Sequence, residues 1–162
     1  MEKQHHYSIS TQWTGNRGTG TSDYRAYDRS HSIQSKNKAP LECSSDAAFR
    51  GDPSKYNPED LLVASISSCH MLWYLHLCAD AGIIVTNYED QAEGIMVETP
   101  NGGGHFKEVI LNPIVTVTES EMIPKAEALH KKAHKLCFIS NSVNFEVRLK
   151  VSIFTLPPTP LL

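Results

Sequence analysis

The stretch from residue 58 to residue 81 constrains the fold more than any other part of this chain. It opens with signals for a helix start, because Asn57-Pro58-Glu59-Asp60 supplies a cap residue, a proline at the first helical position and two acids in the first turn. Gly82 marks its end. Its apolar side chains point in nearly every direction around the axis: Leu61, Leu62, Val63, Ile66, Cys69, Met71, Leu72, Trp73, Leu75 and Leu77. A helix that is apolar all round is buried all round, so we predict a central core helix.

Polar residues in the middle of this segment favour a core helix over a membrane span. The segment is long enough to cross a bilayer, but His70, His76 and the serines Ser65, Ser67 and Ser68 lie in its central part. We therefore expect no membrane span. The polar residues that flank Cys69 are also poor choices for an inert core helix, since every buried polar atom needs a partner. We expect something polar to meet this helix at its middle.

The remaining apolar stretches alternate and are β-branched, which predicts strands. Glycine clusters at residues 15–18 and 100–104 predict hairpin turns, one inside the first stretch and one between the second and third. Residues 34–57 carry little periodicity and predict a long loop. The predicted strand regions are 7–33, 83–98, 106–119 and 143–154.

A second helix is predicted over residues 123–136, where the apolar positions step by three and four on one side. These positions are Ile123, Ala126, Leu129, Ala133 and Leu136. The chain has 162 residues, 40% of them hydrophobic, which suffices for one core. We predict one α+β domain over residues 1–156, with sheet packed on the buried helix, and a frayed tail over 157–162. One short sheet and one helix cannot cover a helix that is apolar all round, so we also expect an obligate homodimer.

The charge balance argues against several classes of partner. Lys and Arg number 15 and Asp and Glu 18, a net charge of -3, and no block of basic residues occurs. Nucleic acids and anionic membrane surfaces are therefore not expected partners. Residues 1–10 are polar and lack the apolar core of a signal peptide, so we expect a cytoplasmic protein.

Four cysteines, Cys43, Cys69, Cys78 and Cys137, form no CxxC pair and do not indicate a disulfide framework. Cys69 lies midway along the predicted core helix and Cys137 at the end of the second helix. Each is either a small core hydrophobe or a reactive thiol. Cys78 is rotated by about 180° and displaced by roughly 13 Å from Cys69, so the two cannot bond and Cys78 is predicted to be structural. Cys43 lies in the predicted loop, where we expect a bystander thiol open to adventitious oxidation.

Three histidines have alternative roles. His70 follows Cys69 and is a candidate base for Cys-His acyl or thiol transfer, although adjacent helix positions point about 100° apart. His130 and His134 are spaced i, i+4, which can chelate a metal, but the stretch lacks the glutamate of the HExxH pattern. We expect both on a solvated face. Since no pair of thiols and histidines has the short spacing of structural zinc sites, we expect neither a metal nor a cofactor.

Two motifs resemble a known family. Asn57-Pro58-Glu59-Asp60-Leu61-Leu62 is followed by Ser68-Cys69-His70, with the cysteine ten residues after the glutamate, and Cys137-Phe138-Ile139-Ser140 lies near the end of the next helix. Together they resemble the OsmC/Ohr family of thiol peroxidases over most of the chain. The resemblance implies an OsmC-like α+β fold, with antiparallel sheets packed on a long buried central helix, in an intertwined homodimer.

The resemblance also implies an activity, the reduction of organic hydroperoxides to alcohols. Cys69 would be the peroxidatic thiol and Cys137 the resolving one, through a sulfenic acid and a disulfide that an external dithiol reduces. In family members of this kind the dithiol is a lipoyl group carried on a protein. The apolar neighbours Leu72, Trp73 and Phe138 favour a bulky organic substrate over hydrogen peroxide. The alternative is an OsmC-like redox sensor or small-molecule-binding protein without efficient turnover.

An arginine and a glutamate complete the site that the resemblance implies. Glu59 matches the glutamate, while the arginine is either Arg50, in the loop before the NPE segment, or Arg17, in the first hairpin turn. We favour Arg50. A buried thiol needs such a fixed positive partner to ionise. Glu59 and Cys69 are about 15 Å apart along a straight helix, so Glu59 should serve the Cys69 of the other subunit, unless the helix starts later. His70 departs from the family pattern, in which an apolar residue follows the cysteine.

Overall fold

A computed structural model describes residues 2–155, which fall into two compact units. The first unit ends at Leu61 and the second begins at Leu62, within a continuous helix, α1 (Pro58–Asp80). These bounds confirm the helix predicted over 58–81. The predicted tail over 157–162 lies outside the described residues.

The first unit contains a three-stranded antiparallel sheet. Its strands are β1 (Ser10–Trp13), β2 (His31–Gln34) and β3 (Leu41–Cys43), in the order β1-β2-β3. The pairing of β1 with β2 confirms an N-terminal hairpin, but the tight turn predicted at 15–18 is wrong. A long connection joins the two strands instead of a tight turn. Within this connection Gly15 is buried, and its carbonyl accepts a hydrogen bond from the Asp28 N–H at 2.9 Å.

The predicted loop over 34–57 is more ordered than expected. It contains β3 and a short 3₁₀ helix, Ala47–Phe49, which the Asp46 carboxylate caps by accepting from the Ala48 N–H at 2.7 Å. Cys43 is fully buried at the end of β3. The expectation of an exposed loop thiol is therefore wrong, since strand pairing with β2 carries this cysteine inside.

The second unit contains two three-stranded sheets. One has the order β4-β7-β9 and the other the order β5-β6-β8. The pairs β4·β7 and β5·β6 are antiparallel, while β7·β9 and β6·β8 are parallel, so the sheets are mixed and not purely antiparallel as expected. The strands are β4 (Val85–Asp90), β5 (Glu93–Glu98), β6 (Gly104–Leu111), β7 (Pro113–Val117), β8 (Glu146–Leu149) and β9 (Ser152–Thr155).

Each predicted long strand breaks where the chain passes from one sheet to the other. The β5·β6 hairpin confirms the turn predicted at 100–104. The region 106–119 breaks at Asn112, whose side-chain amide donates to the Gln91 carbonyl at 2.7 Å and whose following residue is Pro113. The last region breaks after Leu149, where the Lys150 N–H donates to the Leu111 carbonyl at 2.8 Å.

The second helix, α2 (Ile123–Leu136), has the predicted bounds and packs with α1 on β7. One core cluster joins buried residues of these three elements, Tyr74, Leu77, Cys78, Val115, Val117, Ala126 and Ala133. A second cluster joins Ile66 of α1 to Val109 and Leu111 of β6. Sheets packed on a long helix confirm the α+β class.

In one copy of the chain, α1 is buried or half-buried around most of its circumference but exposed along one side, so the prediction of burial all round is wrong for the single chain. Its buried residues are Ile66, His70, Tyr74, Leu77 and Cys78. Leu72 is 64% exposed on another side. By length and composition alone, α1 is apolar enough to cross a bilayer, with mean hydropathy 1.4, a property that core helices of soluble proteins share.

Candidate active site

Cys69 lies midway along α1, partly buried, and faces the segment that follows α2. The groups that interact with its sulfur are the Cys137 thiol and the backbone N–H groups of Ile139 and Phe138. Burial raises the pKa of the Cys69 thiol, the Ile139 N–H opposes that rise, and a hydrogen bond with the Cys137 thiol adds to it. The structure therefore brings Cys69 and Cys137 together, both as free thiols.

Cys137 ends α2 and is held by the Cys-x-x-Ser turn. Its backbone leaves the helical conformation at φ -66°, ψ 110°, and its sulfur is fully buried. The Ser140 hydroxyl and the Ser140 N–H both donate to this sulfur, at 3.2 Å and 3.4 Å. Ser140 thus fixes the position of the Cys137 sulfur, and the same turn directs the next two backbone N–H groups at Cys69.

The expected polar partner at the middle of α1 is Asp90, at the end of β4. The Ser67 hydroxyl donates to Asp90 Oδ2 at 2.5 Å, and the Asn112 N–H donates to Asp90 Oδ1 at 2.7 Å. The neighbouring serines, in contrast, donate to carbonyls of their own helix: Ser65 to Leu62 and Ser68 to Ser65. Asp90 thus ties the helix to both sheets two residues before Cys69, a role that nothing in the sequence around Asp90 had indicated.

A second polar contact joins α1 to α2 through two buried histidines. His70 Nε2 lies 3.0 Å from His130 Nδ1, and both side chains are almost fully buried. The expectation of a solvated His130 is wrong, because His130 lies between Ala126 and Ala133 on the buried face of α2. That spacing of four and three was the signal that would have found it. His70 points into this pair, and the groups acting on Cys69 do not include it.

The two imidazoles have unusual acid-base properties. Burial lowers the pKa of His70 to about 4, with a smaller contribution from His134, and lowers the pKa of His130 to about 3, with a smaller contribution from His70. Tyr74 stacks on the His130 ring with 3.8 Å between centroids. Both histidines are therefore neutral near pH 7. Among residues 2–155, no three His, Cys, Asp or Glu side chains are grouped as a metal ion would require.

Apolar side chains beside the two thiols are open to solvent. Phe138, next to Cys137, is 69% exposed, and Leu72, three residues after Cys69, is 64% exposed. The Trp73 and Phe138 rings meet edge to face with 5.7 Å between centroids. These residues, which the sequence singled out, form an apolar surface next to the thiol pair.

The remaining predicted site residues, Arg17, Arg50 and Glu59, lie in the first unit. Arg17 is committed to its own loop: its guanidinium donates to the Ala26 carbonyl at 3.2 Å and to the Arg25 carbonyl, and lies 3.8 Å from Asp28.

Arg50 is exposed and has a left-handed backbone, φ 66°, at the end of the 3₁₀ helix, with its guanidinium 5.9 Å from the Tyr24 ring centre. Its guanidinium makes no hydrogen bond among the described residues. Glu59 Oε2 is buried and lacks a hydrogen-bond partner within residues 2–155.

These features define a class: an α+β protein whose long helix carries a thiol that faces a second thiol at the end of the next helix. The sequence model of the OsmC-like protein family matches residues 51–152, more than half of the chain. The chain belongs to the OsmC/Ohr family. No curated protein matches it significantly.

Solved structures with this fold include family members from several bacteria. An OsmC-like protein of unknown function from Vibrio cholerae is 28% identical, with TM-score 0.82, and the match covers 92% of this chain and 100% of that one. An organic hydroperoxide resistance protein from Elizabethkingia anophelis is 23% identical, with TM-score 0.72 and coverage of 95% and 100%. One from Legionella pneumophila is 19% identical, with TM-score 0.65 and coverage of 94% and 98%.

Proposed function

We propose that this protein is a thiol peroxidase that reduces organic hydroperoxides to alcohols. The Cys69 thiolate attacks the terminal peroxide oxygen, the O–O bond breaks, and the alkoxide takes up a proton and leaves as the alcohol, while Cys69 is oxidised to the sulfenic acid. The Cys137 thiol then attacks that sulfur, a Cys69–Cys137 disulfide forms, and water leaves. An external dithiol, for example a lipoyl group on a protein, restores both thiols by exchange.

The observation that carries this proposal is that the two thiols lie close enough to influence each other's ionisation. Cys69 and Cys137 are far apart in the chain, yet their sulfurs interact and both are free. The Ile139 and Phe138 N–H groups that face Cys69 favour an anionic sulfur and supply donors where negative charge develops on oxygen during the attack. The two steps of a two-cysteine peroxidase fit this arrangement.

The apolar surface formed by the exposed Leu72 and Phe138 and the half-buried Trp73 supports an organic substrate. A hydroperoxide with an acyl or aryl tail gains about 0.8 kcal/mol for each methylene buried there, which hydrogen peroxide cannot gain. The name of the Elizabethkingia anophelis protein, organic hydroperoxide resistance protein, agrees with this substrate class.

A homodimer is part of the proposal. One copy of the chain leaves one side of α1 exposed, and this side includes the apolar side chain of Leu72. Exposed apolar surface of this kind is typical of a permanent interface. Packing of α1 against its copy would bury it and enclose the apolar surface next to Cys69.

The test is consumption of cumene hydroperoxide with dithiothreitol or dihydrolipoamide as reductant. We expect turnover with cumene hydroperoxide at low micromolar protein, much slower turnover with hydrogen peroxide, and none for Cys69→Ser. Formation of one disulfide per chain without continued consumption under excess reductant would contradict the proposal and favour a redox sensor.

A further inference from the structure

The two helices that carry the cysteines are joined by a direct hydrogen bond between imidazoles. His70 follows Cys69 on α1, and His130 lies on α2 seven residues before Cys137. Their nitrogens are 3.0 Å apart, and the side chains are 0% and 1% exposed. A buried polar link at this place is costly unless its bond is made, because each imidazole has lost its hydration.

The bond requires that one of the two facing nitrogens carries a proton and donates it, while the other carries none and accepts. The outer nitrogens, His70 Nδ1 and His130 Nε2, are buried and have no partner within residues 2–155, so within that range each imidazole makes only the hydrogen bond to the other. Protons on both facing nitrogens would place two donors face to face and break the hydrogen bond.

Among the described residues, no carboxylate lies against the histidine pair to stabilise a protonated imidazole. The titratable groups that face it are Tyr74 of α1, stacked on His130, and His134 of α2, which acts on His70. From β4, Tyr88 packs on Tyr74 with 5.8 Å between ring centres. No carboxylate of the described residues is among the groups that act on either imidazole.

We propose that the His70–His130 hydrogen bond is a positioning device for the resolving step, holding α1 and α2 in the register that keeps the Cys137 sulfur in contact with Cys69. This inference rests on the proposed function. In that step the Cys137 thiol attacks the Cys69 sulfenic sulfur, the S–S bond forms, the S–O bond breaks, and the hydroxide leaves as water with the thiol proton. Neither histidine touches a sulfur in this step; both act through the helices that they join.

Diamide tests the proposal without any peroxide, because it oxidises two neighbouring thiols to a disulfide and is itself reduced to the hydrazine. We expect His130→Leu to slow formation of the Cys69–Cys137 disulfide by about tenfold or more, as mass spectrometry of quenched samples would measure. Alkylation of Cys69 by iodoacetamide, measured in a Cys137→Ser background, should keep its rate. A general loss of structure would change both rates.

Rescue by amides separates a positioning bond from simple core packing. Asn at 130 places its amide where Nδ1 lies, and Gln at 70 places its amide where Nε2 lies, so the double variant His70→Gln/His130→Asn can rebuild the bond without titratable groups. We expect it to restore disulfide formation to within about threefold of the wild-type rate. His130→Gln, of similar size but with its amide one bond too far out, should remain slow. If His130→Leu fails to fold, His130→Gln takes its place as the variant that lacks the hydrogen bond.

The matched control is His76→Leu, on an exposed part of α1 where the imidazole lies 3.4 Å from Asp80, and it should leave both rates unchanged. Wild-type disulfide rates in folded His130→Leu and His130→Gln, or no rescue by the folded amide pair, would overturn the inference. If diamide oxidation depends on the pair but no hydroperoxide is consumed, the proposed function alone is wrong.

Discussion

Ser67 Oγ lies 2.5 Å from Asp90 Oδ2, which fastens the middle of the cysteine-bearing helix to the end of β4. The same carboxylate accepts from the Asn112 N–H, at the point where the chain passes from β6 to β7. One partly buried aspartate thus connects the helix with both sheets of the second unit. Since Cys69 lies two residues after Ser67 on α1, this contact helps to fix the position of Cys69 relative to the two sheets.

We predict that Ser67→Ala lowers the free energy of unfolding by about 1.5–3 kcal/mol, because it leaves a partly buried carboxylate oxygen without its donor. Urea unfolding followed by circular dichroism measures the change. Ser68→Ala is the matched control, since the exposed Ser68 hydroxyl donates only to the Ser65 carbonyl of its own helix. Its effect should stay within about 0.5 kcal/mol. Equal effects of the two substitutions would show that the Asp90 contact contributes nothing specific.

The buried histidine pair predicts acid-sensitive stability. The pKa of His70 is lowered to about 4 and that of His130 to about 3, against about 6.5 in the unfolded chain. Above about pH 6.5 both states are neutral and stability does not depend on the pair. As the pH falls from about 6.5 toward 4, only the unfolded state takes up protons, so each histidine lowers the free energy of unfolding by up to about 1.4 kcal/mol per pH unit.

Urea unfolding at several pH values between 7 and 4.5 measures this slope. In His70→Gln/His130→Asn both imidazoles are absent, so the free energy of unfolding should depend less steeply on pH, by an amount that corresponds to close to two protons. His76→Gln should retain the wild-type slope. An unchanged slope in the double variant would place the titrating groups elsewhere in the protein.

For the cysteines, we predict distinct products after one equivalent of cumene hydroperoxide. Cys137→Ser should stop at a Cys69 sulfenic acid after one turnover, because no second thiol lies against that sulfur, and dimedone should trap the acid. Cys43→Ala and Cys78→Ala should keep the activity, since burial raises the pKa of both thiols and each is enclosed in the core. Mass spectrometry of the oxidised wild type decides the assignment. A disulfide from Cys69 to Cys43 or Cys78 would contradict it.

Features that depend on residues close together in the sequence were predictable, and contacts between residues far apart in the sequence were not. The bounds of α1 were predictable because its cap, its proline and Gly82 act on neighbouring residues, and those of α2 because its apolar positions repeat by three and four within the helix. The Asn112-Pro113 break is also local, and that dipeptide was its signal. The Ser67–Asp90 and His70–His130 contacts were not predictable, because their partners are 23 and 60 residues apart and meet only once sheets and helices have packed.

The parallel pairing of β8 with β6 and β9 with β7 was hidden for a related reason. It depends on where the chain returns after α2, and alternation within a strand is the same for either direction. The pairing of Cys69 with Cys137 came from the resemblance of two short motifs, and in the structure the Cys137 thiol is among the groups that act on Cys69.

The homodimer leads to a prediction about α1. Leu72→Glu places a charge on a side chain that is 64% exposed in one copy, and we expect it to give a monomer at micromolar concentration in sedimentation velocity. The wild type should sediment as a dimer with no monomer detectable. Lys132→Glu, an exposed position on α2, is the control and should stay dimeric. A wild-type monomer with full peroxidase activity would overturn the dimer proposal.

The last prediction concerns the cation that makes the Cys69 thiolate. Burial raises the pKa of Cys69, and no cation of residues 62–155 is among the groups that act on it, so a rapid peroxidase needs a guanidinium from elsewhere. We expect Arg50 to supply it, since Arg17 already donates to the Ala26 and Arg25 carbonyls of its own loop. The buried Glu59 oxygen, which has no hydrogen-bond partner in the described part of the chain, would orient this arginine in the site of the other subunit.

Arg50→Ala should therefore raise the Cys69 pKa further and slow peroxide reduction by about a hundredfold or more, as expected for the loss of one preorganised donor to a developing charge. Arg17→Ala should do much less. Alanine at position 50 has a Cβ, as arginine does, so Arg50→Ala does not relieve the left-handed backbone conformation at φ 66°. The rate of iodoacetamide alkylation of Cys69 against pH measures the shift for both variants. If Arg17→Ala displaces this curve and Arg50→Ala does not, the active-site arginine belongs to the connection between β1 and β2.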